Sequence, residues 1–182
     1  MQAEKEKKYI GSYRLWWGYL IGLVSLFLAS EHLYLPGVIV ALIGIGIRVW
    51  AAGCINKNST LAMRGPYAFT RNPLYVGSLV LGIGMTMAVR EAWLVAVYVV
   101  GFAVFYWPTI RKEERDLDRI FGDAYLEYKK LVPAFFPWKP RRPDPGFSLE
   151  NVVLNREHRH AIFYVLFLAL MEIAAVVRMR VM

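Results

Sequence analysis

Two stretches of the chain carry side chains able to do chemistry together. Arg111-Lys-Glu-Glu-Arg-Asp-Leu117 sets the carboxylates of Glu113 and Glu114 side by side. Paired carboxylates can bind a cationic ligand, accept hydrogen bonds from ribose hydroxyls, or take a proton from an amine. Arg64-Gly-Pro-Tyr-Ala-Phe-Thr-Arg-Asn-Pro-Leu-Tyr-Val-Gly77 begins with a Gly65-Pro66 turn and contains Asn72-Pro73. Asn is a good helix N-cap and Pro suits the first helical position. A helix starting there offers free amide groups, flanked by Tyr67, Arg71 and Tyr75, and favours a carboxylate or another anion. Each stretch has a plainer reading too. The first is then a solvated face of alternating charge, the second a basic, aromatic loop that merely starts an apolar helix.

Other groups point to less. His158 and His160 flank Arg159 without Cys or carboxylate partners at ligand spacing, so they read as interfacial and no metal site is expected. One cysteine, Cys54, excludes a disulfide framework and a four-cysteine metal site, and reads as an inert buried thiol. Arg48 and Glu172 fall inside apolar stretches, where charges are often functional. Arg48 is expected to snorkel to the surface; Glu172 has no partner nameable from sequence. Gly82-Ile-Gly84 reads as a close helix crossing, or as room for a cofactor.

The elements that position these residues are hydrophobic. Of 182 residues, 57% are hydrophobic, 15% aromatic and 20% charged, whereas a soluble domain is about half apolar and about a quarter charged. Disorder is excluded by that composition. An all-α integral membrane protein is expected, with about five transmembrane helices, at 15–29, 36–54, 74–89, 92–110 and 161–177. Flanking Trp, Tyr and Arg extend the shorter ones. The first stretch lacks a signal-peptide cleavage site. The segment 113–131 has apolar residues three and four apart and forms an amphipathic helix or helix pair broken at Gly122. Residues 137–146 (PWKPRRPDPG) form a stiff non-helical linker. No internal repeat is present, and the chain reads as one unit, residues 1–182.

The net charge of +8 is explained by topology. Eighteen of the 22 Lys and Arg residues lie before the first span, between the second and third, or within 111–160. The positive-inside rule makes that side cytoplasmic, with the N-terminus inside and, after five crossings, the C-terminus outside. Arg178 and Arg180 weaken the fifth crossing. Attraction to anionic lipid head groups accounts for the basic excess, and no nucleic-acid partner is expected. Only Arg90-Glu91 separates the third and fourth spans, so they form a tight hairpin. Asn72–Tyr75 and Glu113–Glu114 must then meet at its cytoplasmic end.

GPYAFTRNPLYVG, followed about 35 residues later by EERDLDRIFGDAYLEYKKLVPAFFP, resembles the integral membrane methyltransferases, which comprise isoprenylcysteine carboxyl methyltransferases and phospholipid N-methyltransferases. The resemblance covers residues 59–137 and implies a catalytic core at about 56–138, with 161–177 an additional helix. It implies S-adenosylmethionine as methyl donor and a lipidic or prenylated acceptor that enters from the bilayer. Carried over by position, the cofactor contacts are Ser59, Leu61, Tyr67, Asn72, Pro73, Leu74, Tyr75, Glu113 and Glu114. Arg111 and Glu113 are the catalytic candidates. The carboxyl methyltransferases commonly have His where this chain has Asn72 and Ser59, and an arginine where it has Thr109; Arg111 is the nearest substitute.

Methyl transfer from a sulfonium is an in-line displacement, so positioning and desolvation do most of the work. A carboxylate acceptor needs only a cation such as Arg111 or Arg71 to orient it. An amine must also lose a proton, to Glu113 or Glu114. The IRKEERDL block looks closer to the carboxyl-methylating branch. Carboxyl methylation of an isoprenylcysteine-like or other lipid carboxylate at the cytoplasmic face is the expectation, phospholipid N-methylation the alternative. A non-enzymatic scaffold or lipid-binding protein is the second alternative.

Overall fold

Prolines mark where two of the helices begin. Pro36 opens α2 (Leu35–Gly53) and Pro73 opens α3 (Pro73–Ala88), both in the first turn, where an amide hydrogen has no intrahelical acceptor. The computed structural model describes residues 2–55, 60–135 and 146–181, with side chains from Tyr13 onward. Among the described residues all regular structure is helical: α1 (Gln2–Leu28), α2, a 3-10 turn (Gly65–Ala68), α3, α4 (Ala92–Phe121), α5 (Asp123–Leu131), α6 (Leu149–Leu154) and α7 (Glu157–Val181). Helices α2, α4 and α7 are long and apolar enough to cross a membrane; Tyr13–Leu28 of α1 and all of α3 are shorter apolar helices. The chain is an all-α membrane protein. Ser59 and nearly all of the 137–146 linker lie outside the described residues.

One boundary is corrected. The fourth span and the first half of the amphipathic segment are not separate, because a single 30-residue helix runs through Pro108 to Phe121. At about 1.5 Å per residue it extends about 45 Å, longer than an apolar core of about 30 Å. Its final turns therefore stand beyond that core, and they carry Glu113 and Glu114. The expected break falls at Gly122, whose φ of +52° ends α4 and begins α5.

Helices α2 and α3 pack with their backbones in contact. A Cβ on Gly44 would lie 2.3 Å from the Leu81 nitrogen, and one on Gly84 only 2.1 Å from the Ala41 nitrogen. In lipid, where apolar surface gains nothing by leaving the solvent, such close approach is what holds helices together. Gly82 instead accommodates the ring of Tyr98 from α4, whose hydroxyl donates to the Ser78 carbonyl at 2.8 Å. The Gly82-Ile-Gly84 run thus serves helix crossing. The α3–α4 turn is tight, with Arg90 at φ +63° and its guanidinium 4.9 Å from the Tyr34 ring.

Polar side chains pin α7 at both ends. Near one end Glu157 receives Arg48 from α2, and Asn155 donates to the Ala52 carbonyl at 2.8 Å. Arg48 is therefore held in an ion pair rather than snorkelling outward. At the other end Glu172 accepts the Leu33 amide at 2.9 Å and contacts His32 Nδ1. Arg178 donates to the carbonyls of Leu26 and Ala29. Glu172 thus has partners about 140 residues away in sequence, which no local pattern announces. Cys54, expected to be buried, is partly exposed at the end of α2.

Candidate active site

The α3–α4 hairpin brings the two chemistry-bearing stretches into contact. Glu114 is 4% exposed and lies at the centre of the first group of residues. Its Oε1 accepts Arg71 Nε at 3.0 Å, Arg71 Nη2 at 2.8 Å and Asn72 Nδ2 at 3.2 Å. A guanidinium fork on a carboxylate supplies direction as well as charge. The remaining donors hold the segment after α5. Arg71 Nη1 donates to the Val132 carbonyl at 2.7 Å and the Arg71 amide to Pro133 at 2.9 Å. Asn72 Nδ2 and Thr70 Oγ1 both donate to the Ala134 carbonyl at 3.0 Å. A strap, residues 132–135, is tied across the start of α3, and its Phe135 packs against Phe102 of α4.

This corrects the capping expectation. Asn72 does stand at the N-cap of α3, but its side chain makes no capping hydrogen bond. Glu114 and Ala134 take its amide instead, while the backbone carbonyl of Asn72 receives the amides of Tyr75 and Val76.

A second group lies on the adjoining face. Tyr75 donates its hydroxyl to Glu113 Oε1 at 2.7 Å and accepts Arg14 Nη1, also at 2.7 Å. Arg14 and Glu113 are 3.9 Å apart. The Glu113 side chain is half exposed, unlike that of its neighbour. The helical step of about 100° turns one carboxylate inward to Arg71 and the other outward.

Tyr67 and Leu61 complete the surroundings of the first group. The Tyr128 hydroxyl donates to the Tyr67 carbonyl at 2.7 Å, and Leu61 packs against Tyr125, Tyr128 and Val132. Burial pushes the Tyr67 phenol well above its usual range, with nearby negative charges including Glu113 and Glu157 adding to it. Burial, then Glu114, pushes Tyr125 up to about 12. Both phenols stay protonated and can serve only as neutral hydrogen-bonding groups near neutral pH.

The Arg14–Tyr75–Glu113 group opens onto a cavity of about 770 Å³ between α1, α3, α4 and α7. Its walls are mostly apolar, including Leu74, Leu81, Met85, Phe163 and Phe167, with Gly18 of α1 leaving open space and Gly22 facing the Phe167 ring. Of the residues singled out from sequence, Leu61, Tyr67, Asn72, Pro73, Leu74, Tyr75, Glu113 and Glu114 gather at this end of the bundle. Arg111 does not join them. It is exposed, with its guanidinium 4.7 Å from the Trp107 ring. Arg14, which sequence inspection overlooked, is the cation that meets Tyr75 and Glu113 at the cavity, where Arg48 also lines the wall. A signal existed: Arg14, Gly18 and Gly22 are spaced four apart and mark one face of α1. Among the described residues no His, Cys, Asp and Glu cluster could hold a metal.

Comparison with known proteins shows what the chain is similar to. The cobalt-zinc-cadmium resistance protein CzcN of Cupriavidus metallidurans is 39% identical over 103 residues, covering 56% of this chain and 46% of that protein. The protein-S-isoprenylcysteine O-methyltransferase of Schizosaccharomyces pombe is 33% identical over 85 residues, 47% of this chain and 36% of that enzyme. A methanethiol S-methyltransferase of Bradyrhizobium diazoefficiens is 34% identical over 80 residues, 40% of this chain and 25% of that enzyme. The chain thus spans less than half the length of these relatives. No solved structure matches. The family model described as phospholipid methyltransferase matches residues 13–124, from α1 to the start of α5, which takes in both groups of polar residues. That match covers more than half of the chain, which therefore belongs to the phospholipid methyltransferase family.

Proposed function

We propose that the chain is a membrane methyltransferase that uses S-adenosylmethionine at the cytoplasmic face and methylates the carboxylate of a lipidic acceptor, isoprenylcysteine-like or otherwise. The observation that carries this reading is the junction of the Arg14–Tyr75–Glu113 group with the apolar cavity of about 770 Å³. A polar rim on an apolar chamber suits an amphiphilic acceptor whose head group must meet a polar donor.

The donor set fits the cofactor. S-adenosylmethionine is cationic at sulfur and at its amino group, and the half-exposed Glu113 supplies a complementary charge beside Tyr75. Bound there, the cofactor supplies an electrophilic methyl group. Leu74, Tyr75 and Glu113 form the side of the site that faces the cavity. Leu61 and Tyr67 flank it, and the cofactor set carried over by position also includes Ser59. Asn72, Pro73 and Glu114 act by fixing the start of α3 and the strap. With Arg71 committed to Glu114 and Arg111 turned outward, Arg14 orients the acceptor carboxylate. No general base is required for that acceptor, because its nucleophilic oxygen is already charged. The apolar walls exclude water from the displacement.

The test supplies radiolabelled S-adenosylmethionine with a total lipid extract and, separately, with prenylcysteine analogues. Base-labile volatile label is expected, since a methyl ester is cleaved by mild base. Base-stable label in a phospholipid, the substrate that the family description names, establishes an amine acceptor instead, with Glu113 taking the proton. No saturable cofactor binding in detergent and in nanodiscs overturns the enzyme reading in favour of a scaffold or lipid-binding protein.

Tyr75→Phe gives a sharper check on the site. It removes the hydroxyl that joins Arg14 to Glu113, and turnover is expected to fall about tenfold, the equivalent of about 1.4 kcal/mol. Unchanged steady-state kinetics would remove this bridge from the mechanism.

A further inference from the structure

Arg111 stands outside the Arg14–Tyr75–Glu113 group, on a face of α4 turned away from the bundle. Val97, Val100, Val104, Trp107, Arg111 and Arg115 follow one another at three- and four-residue steps, and all are exposed. Along this stripe the helix changes from apolar to basic at Trp107. Arg90-Glu91 and the exposed Trp93 put the start of α4 at one edge of the apolar core. At about 1.5 Å per residue, Arg111 lies about 28 Å from Ala92 and Arg115 about 34 Å. A core of about 30 Å within a bilayer of about 40–45 Å ends between them, so the two guanidiniums bracket the level where the head groups begin. Arg119, about 40 Å along, is past that level and pairs with Asp116 at 3.9 Å.

The geometry points to a binding site for the phosphate head group of an anionic phospholipid, formed by Arg111 and Arg115 at the end of this lipid-facing stripe. Neither side chain has a carboxylate in ion-pair range among the described residues. The nearest carboxylates along the helix are committed elsewhere: Glu113 to Tyr75, Glu114 to Arg71 and Asp116 to Arg119. The Arg111 guanidinium lies 4.7 Å from the Trp107 ring, which holds it on the stripe while leaving its donors open. Arg115 follows one turn later, about 6 Å along the axis. Two planar forks at that spacing suit the oxygens of a phosphodiester. Trp107 then stands at the glycerol level, where indoles gather, and the acyl chains lie along Val104 and Val100. A zwitterionic head group is disfavoured, because its ammonium meets Arg111, Lys112 and Arg115 with no uncommitted carboxylate beside them. Free phosphate makes no use of the apolar part of the stripe. The site is discrete, unlike the diffuse pull of basic loops toward a charged surface, and it does not depend on which acceptor is methylated.

The test places the full chain in nanodiscs of mixed phosphatidylcholine and phosphatidylglycerol and counts the lipids that stay bound by native mass spectrometry. Wild-type protein is expected to keep phosphatidylglycerol about 25-fold in preference to phosphatidylcholine, at about fivefold for each of two basic side chains near the surface. Arg111→Gln/Arg115→Gln is expected to lose that preference while melting as the wild type does in phosphatidylcholine alone. Arg119→Gln/Lys130→Gln removes the same charge from exposed positions nearby and is expected to keep it. Millimolar inorganic phosphate is expected to leave the bound lipid in place. Equal losses in the two double variants, or a preference that survives Arg111→Gln/Arg115→Gln, overturn the inference. Displacement by inorganic phosphate overturns the lipid as occupant. Wild-type protein that binds the two lipids equally overturns the inference whether or not the variants fold.

Discussion

Glu114→Ala is expected to destabilise the protein by about 3–5 kcal/mol, the cost of removing one partner from a buried ion pair. Glu114 and Arg71 have side chains only 6% and 9% exposed, so Arg71 cannot turn to water when its partner is lost. Asn72 also loses an acceptor. The carbonyls of Lys129, Val132, Pro133 and Ala134 depend on the same donors, so the strap is released with the pair. The measurements are thermal unfolding in detergent and hydrogen exchange over residues 129–135, which should lose protection. Glu113→Gln, one residue earlier and half exposed, is expected to leave stability near that of the wild type while weakening binding of S-adenosylmethionine about tenfold. Equal stability losses in the two variants would refute the division of labour between these neighbours.

The second large effect is expected from Gly84→Val. Even the first added carbon would lie 2.1 Å from the Ala41 nitrogen and 2.7 Å from the Gly37 carbonyl oxygen, both on the backbone of α2. Backbone cannot step aside as a flexible side chain can, so α2 and α3 must separate. A cost of about 3 kcal/mol or more is expected, at or above the upper range for overpacked cores. Both helices contribute residues to the cavity, which must deform with them. Gly46→Ala on α2 is the matched control, since no atom lies within 4 Å of its added carbon. The melting temperature of the control is expected to equal or exceed that of the parent chain, because alanine favours helix over glycine by about 1 kcal/mol. A Gly84→Val protein of undiminished stability would show the crossing to be looser than described.

The contrast between what sequence announces and what it conceals follows the range of the contacts. Asn72-Pro73 and Glu113-Glu114 were legible together because a two-residue turn leaves the flanking helices no choice but to pair. The apolar stretches were legible because a bilayer dictates their length and composition. Arg14–Tyr75, Arg48–Glu157 and His32–Glu172 join residues 61, 109 and 140 apart. Such pairs depend on the order of helices around the bundle, about which periodicity is silent. The strap was hidden for another reason: it is held through backbone carbonyls, which every residue possesses. Only Pro133, which ends the helical pattern, hinted that the chain turns back there.

The side chain of Arg178 reaches the carbonyls of Leu26 and Ala29, about 150 residues earlier. The end of α1 is thereby closed by a group from α7. Because α7 follows α1 in the sequence, those carbonyls gain this partner only once α7 has been made, and until then water is the donor open to them. The same holds for Glu172, whose entry into the membrane is eased once the Leu33 amide and His32 are there to receive it. Helix α7 thus does two things at once: it fixes the end of α1 and, through Phe163, Tyr164 and Phe167, supplies one wall of the chamber. A variant lacking α7 is expected to lose that wall and leave the chamber open to lipid.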